Sequence, residues 1–174
     1  MAGSLIKIDE EIVTSSAATV TLTGIDSTYD VYMVKFNNVT FNTSGSGLYT
    51  RVTTSGTADS DSEYDIAYKV LRADSSFANV SNTNGNLWDL TVQYTTSGVS
   101  ANGILYLFNF NNSSEYSFIT LETAFFWSGS NNLNGNQGSA VHTVAETNDG
   151  ISFLSDSGRT YESGTFTLYG LNKS

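Results

Sequence analysis

Apolar and polar residues alternate with a period of two along most of this chain. That pattern commits the backbone to strands whose two faces meet different surroundings. In Ala18-Thr19-Val20-Thr21-Leu22-Thr23, Val20 and Leu22 point one way and the threonines the other. Tyr32, Val34 and Phe36 share one face of a longer run over 29–41. Further strands are expected over 48–53, 64–71, 87–94, 104–110, 116–127, 139–146, 151–154 and 163–171. Turns are expected at Ser44-Gly45-Ser46-Gly47, Asn102-Gly103 and 111–115, and Asn148-Asp149-Gly150 reads as a tight hairpin. Residues 73–87 read as a long polar loop, or a short helix at 75–79, and 128–138 as a second polar loop. About ten short strands with no convincing helix predict an all-β chain, a jelly-roll-like antiparallel β-sandwich forming a single domain over 1–174.

Composition supports this reading. Asn, Ser, Thr and Gly make up 79 of the 174 residues, and ten Tyr, ten Phe and two Trp supply bulky strand formers. There is no cysteine, which removes disulfides, thiolate metal sites and cysteine nucleophiles. The net charge is −10 and the seven Lys and Arg are scattered. Without a basic stripe, nucleic-acid binding lacks its main electrostatic term. The chain shows no basic cluster followed by an apolar signal segment, and no run of about 18 apolar residues. A soluble protein without membrane or nucleic-acid partners is the expectation.

Few residues suggest chemistry. His142 is the only histidine, and it lies in a strand pattern, where hydrogen bonding to a neighbour is its ordinary role. Serine catalysis would have this residue alone to build on, with no Gly-x-Ser-x-Gly elbow. Asp59, Asp61 and Glu63 alternate as calcium-loop carboxylates do, but the sixth position is Tyr64 and the twelfth Val70, where an EF-hand needs Gly and Glu. The expectation is therefore a solvated acidic loop, with no metal and no cofactor. Glu122 and Asp89 are the strand carboxylates that a glycosidase pair would need. Nothing around them matches a nucleophile glutamate followed by paired tyrosines, and no catalytic residue is assigned.

The feature that speaks most about contacts is Ala124-Phe125-Phe126-Trp127. Three consecutive aromatics cannot share one face of a strand. Either both faces are covered within the chain, or Phe125, Phe126 or Trp127 lies at a subunit or partner contact. Residues 104–108 show the same two-sided apolarity.

Two stretches carry a family resemblance. One is Gly3-Ser4-Leu5-Ile6-Lys7-Ile8 followed by residues 18–39, the other Ser163-Gly164-Thr165-Phe166-Thr167-Leu168-Tyr169-Gly170-Leu171. They resemble small structural proteins of tailed bacteriophages, particularly phages of marine bacteria and cyanobacteria. The resemblance implies a virion surface protein, either capsid decoration (cement) or a compact tail or fibre component. It also implies assembly in the host cytoplasm, self-association with a trimer favoured, and contact with a major capsid or tail protein. It assigns no site residue. The other reading is a carbohydrate-binding module or host-glycan-binding tip, with Trp88, Trp127 or loop tyrosines stacking on sugar rings.

Overall fold

The computed structural model describes residues 5–74, 76–91, 99–127, 129, 131–155 and 158–171. The chain is an antiparallel β-sandwich, with no helix among the described residues. In chain order the strands are β1 (Leu5–Val13), β2 (Thr19–Thr23), β3 (Val31–Phe41), β4 (Leu48–Thr54), β5 (Thr57–Ala58), β6 (Tyr64–Arg72) and β7 (Phe77–Gly85). They continue with β8 (Trp88–Asp89), β9 (Ala101–Phe108), β10 (Tyr116–Trp127), β11 (Asn132–Ala145), β12 (Gly150–Ser155) and β13 (Tyr161–Leu171). One sheet has eight strands in the order β1-β13-β3-β9-β10-β11-β6-β7, the other five in the order β2-β12-β4-β5 with β8 beside β4.

The alternation read from the sequence sets the core. From the large sheet, Val34, Phe36, Leu105, Leu107, Ile119, Leu121, Phe166 and Leu168 turn inward and are buried. They meet Leu22, Val52, Ile151 and Phe153 of the small sheet. Phe36, Phe153 and Phe166 lie ring to ring, with centroids 4.9–6.3 Å apart. A glycine makes one close approach possible on this inner side. A Cβ on Gly138 would stand 2.3 Å from the Ala67 carbonyl oxygen of the neighbouring strand.

Four expectations are corrected. The stretch 73–87 is mostly strand: β7 pairs with β6 at the sheet edge, where only Ala78 and Val80 pack on the core. An edge strand gains its place from main-chain pairing, so apolar alternation need not mark it. Likewise 128–138 is largely β11. Its inward Asn134 and Asn136 are buried, and the Asn136 amide donates to the Leu90 carbonyl at 2.8 Å. Asn102 and Gly103 lie within β9 rather than in a turn. The residues before β12 form no hairpin, because β11 belongs to the large sheet and β12 to the small one. There Asn148 is buried, donating its backbone N–H to Phe110 O (2.7 Å) and its side-chain amide to Ser117 Oγ (2.9 Å). The strand expected over 87–94 appears as β8, Trp88–Asp89, with 92–94 outside the described residues. With β1, β5 and β7 added, thirteen strands stand among the described residues where about ten were expected.

Candidate functional site

The outer face of the eight-stranded sheet is the first feature to stand out. On β10, Ile119, Leu121 and Phe125 point into the core, so Tyr116, Phe118, Thr120, Glu122, Ala124 and Phe126 point away from it. On β9 the outward residues are Ile104, Tyr106 and Phe108. Register joins them: Phe118 pairs with Phe108 and Val141, Thr120 with Tyr106, and Glu122 with Ile104 and Gln137. Ile104, Tyr106, Tyr116 and Phe118 are each 37–47% exposed, a large fraction for such side chains in one connected area. A groove between β9, β10 and β11 is lined by Ile104, Tyr106, Thr120, Glu122 and Gln137. In it the Gln137 amide donates to Glu122 at 3.0 Å. A second apolar row crosses the far strands: Phe126 opposes Leu133, and Leu71 opposes Phe77. Leu71, Leu133 and Phe77 are all exposed.

The three aromatics singled out by sequence therefore divide. Phe125 is a core residue, 2% exposed. Phe126 is half-buried on the outer face. Trp127 is half-buried at the sandwich rim, with the Arg72 guanidinium 5.1 Å from its ring centroid. Trp88 is wholly buried, so stacking of Trp88 on a sugar is overturned. Its ring stands edge-on to Tyr64, and its Nε1–H donates to Val141 O at 3.2 Å. Asp89 and Glu122 belong to different sheets, which leaves no shared cleft for a glycosidase pair.

The acidic loop and the lone histidine, unrelated in sequence, come together. His142 sits in β11 opposite Tyr64 of β6, and its ring packs 4.8 Å from the Tyr64 ring. The loop between β5 and β6 folds over it. Asp59 Oδ2 lies 2.9 Å and Glu63 Oε2 3.4 Å from His142 Nε2, while Glu146 Oε1 lies 3.9 Å from Nδ1. Backbone bonds fix the loop. Asp59 N donates to Val52 O at 3.0 Å, and Thr143 N to Glu63 O at 2.8 Å. The Tyr64 hydroxyl donates to Asp59 O at 3.0 Å. No sequence pattern pairs positions 59 and 142; only the β6–β11 register does.

Burial works to raise the Asp59 pKa, but the Asp61 amide and the His142 ring outweigh it and hold the carboxyl below its usual value. Burial, with repulsion from Asp59, pushes Glu63 up. Asp59 thus contributes stability that is complete above its unfolded value of about 4 and lost as pH falls through its lower folded value. Glu63 acts in the opposite sense, since stability falls as pH rises through its raised value. Replacing Asp59 with Asn is expected to flatten the acid limb of the stability profile below about pH 4. Thermal melts of both proteins across that range check it. An unchanged acid limb would show that the Asp59–His142 contact contributes nothing.

No protein-family model matches the chain, and neither does any curated protein. Among solved structures, the chain is similar to a fructofuranosidase from Schwanniomyces occidentalis, in complex with fructosylnystose, at 12% identity and a TM-score of 0.24. That match covers 98% of this chain and 34% of the enzyme, so the chain spans about a third of its length. At that score the likeness carries no argument about fold or activity.

Proposed function

We propose that this chain is a non-enzymatic structural protein of a virion surface, a capsid decoration protein or a compact tail or fibre component. It works by protein–protein contact across the outer face of its eight-stranded sheet. The observation that carries this reading is the connected area of exposed apolar side chains at Ile104, Tyr106, Tyr116 and Phe118. Solvent-facing sheet surfaces are ordinarily polar, and an apolar area of this kind is a contact in waiting. The sheet edge nearest the N-terminus favours a face contact over edge pairing. Strand β1 carries Lys7, Asp9, Glu10 and Glu11 and a bulge between Lys7 and Asp9, devices that keep edges from pairing with other chains. The virion setting rests on the resemblance of residues 3–8, 18–39 and 163–171 to small phage structural proteins.

Light scattering on the isolated chain, with binding to the parent particle as a second readout, tests the proposal. Self-association, with a trimer favoured, or stable particle binding is expected. A Tyr106→Ser/Phe118→Ser double variant should abolish it while changing the fold's stability by about 1 kcal/mol or less, as surface substitutions do. A monomer that binds no particle overturns the reading. The glycan reading keeps Tyr106, Glu122 and Gln137 in one groove. Saturable binding of host polysaccharide by a monomeric chain would favour it instead.

A further inference from the structure

The histidine cluster lies apart from the proposed contact face. His142 is 0% exposed, and three carboxylates from two loops surround its ring. Asp59 accepts from Nε2–H, and in the neutral imidazole Nδ1 then presents a lone pair. That nitrogen is buried and has no hydrogen-bond partner among the described residues, and the nearest carboxylate is Glu146. A buried lone pair facing an anion is unfavourable unless a positive charge lies between them. Asp59, His142 and Glu146 each offer one ligand atom, all within 4.8 Å of one another.

We propose that His142 Nδ1 and the Glu146 carboxylate bind one divalent transition-metal ion of the zinc class, with Asp59 holding the imidazole from behind through Nε2–H. An imidazole with carboxylates suits zinc and its neighbours, whereas calcium takes oxygen ligands. The surroundings are those of a prepared site. The Tyr64 ring packs against the imidazole, and the Thr54 hydroxyl donates to Glu146 Oε1 at 3.2 Å. An ion on Nδ1 and Glu146 leaves Asp59 accepting from Nε2–H, the carboxylate–histidine–metal relay that orients metal-bound imidazoles. The ion also gives the site a structural purpose. It fixes His142 to Glu146, in the segment where the chain crosses from the large sheet to the small one, and the Asp59–His142 hydrogen bond extends that hold to the β5–β6 loop. In a chain without cysteine, such an ion takes the place of a covalent staple.

Titration calorimetry of the metal-free full-length chain with zinc chloride tests this. One ion per chain is expected, with the melting temperature raised by zinc and restored by chelator. Glu146→Gln, at a partly exposed position where folding is not at stake, should weaken binding by at least ~tenfold. Nitrogen-15 NMR gives a separate readout, because His142 is the only imidazole: zinc should move its Nδ1 resonance. Absence of saturable zinc binding overturns the proposal. So does zinc affinity unchanged in Glu146→Gln, binding of calcium in place of zinc, or a doubly protonated His142 at neutral pH that zinc leaves unaltered. The contact-face reading stands or falls on association measurements that do not involve this site.

Discussion

Replacing Trp88 with alanine is expected to cost about 3–5 kcal/mol, a large part of the roughly 5–15 kcal/mol that holds a domain of this size together. Trp88 is the largest fully buried side chain in the protein. It enters on β8, a two-residue strand whose hold on the small sheet is its pairing with Tyr49 and Thr50 of β4. Its ring meets Tyr64 edge-on at 5.1 Å, and Tyr64 in turn packs on His142. Truncation therefore opens a cavity between the sheets, leaves the Val141 carbonyl without its indole donor, and removes the support behind the histidine cluster. Trp88→Phe keeps most of the volume and loses the hydrogen bond, so it should cost less than Trp88→Ala. Equilibrium denaturation in guanidinium separates the two. If Trp88→Ala were as stable as the parent, the indole would have to lie on the surface, as a sugar-stacking role requires.

The second large effect separates neighbours in one strand. Phe125→Ser should cost about 3–5 kcal/mol, because a buried phenyl is lost and its volume is left as a cavity. Phe126→Ser, one residue on, removes an outer-face ring and should change folding stability by about 1 kcal/mol or less. It should weaken any assembly that uses the apolar row with Leu133. Trp127→Ser falls between them, since it loses the stacked Arg72 contact, worth about 0.5–1 kcal/mol at a partly exposed site. Denaturation midpoints and light scattering on the three variants check this order. Equal losses for Phe125 and Phe126 would mean that both faces of β10 are covered within one chain.

The sandwich was legible because its strands bury one face, and period-two alternation is the direct consequence of that. Val20 and Leu22, Tyr32 to Phe36, and Ile119 with Leu121 all lie where the alternation puts them. The strands that escaped are those whose stability comes from elsewhere. Edge strand β7 rests on main-chain pairs to β6, and the first half of β11, before the expected 139–146, turns polar Asn134 and Asn136 inward, with the Asn136 amide donating to Leu90 O. Apolar alternation marks neither. The acidic loop was visible as charge, and His142 as a lone histidine, but nothing in their spacing joined them.

The sequence by itself determined the class of fold, the inward face of most strands and the absence of cysteine chemistry. Each of these depends on residue type and on spacing along the chain. Only the tertiary structure decided which strands are neighbours, and that is a matter of register between segments far apart in sequence. Register placed Phe118 beside Phe108 to make an exposed apolar face, and it sent Phe125 inward and Phe126 outward. It also brought Asp59 to within 2.9 Å of His142, 83 positions further along the chain. Backbone pairing can bring such residues together because a sheet ladder fixes positions to a fraction of an ångström, wherever in the chain its strands begin.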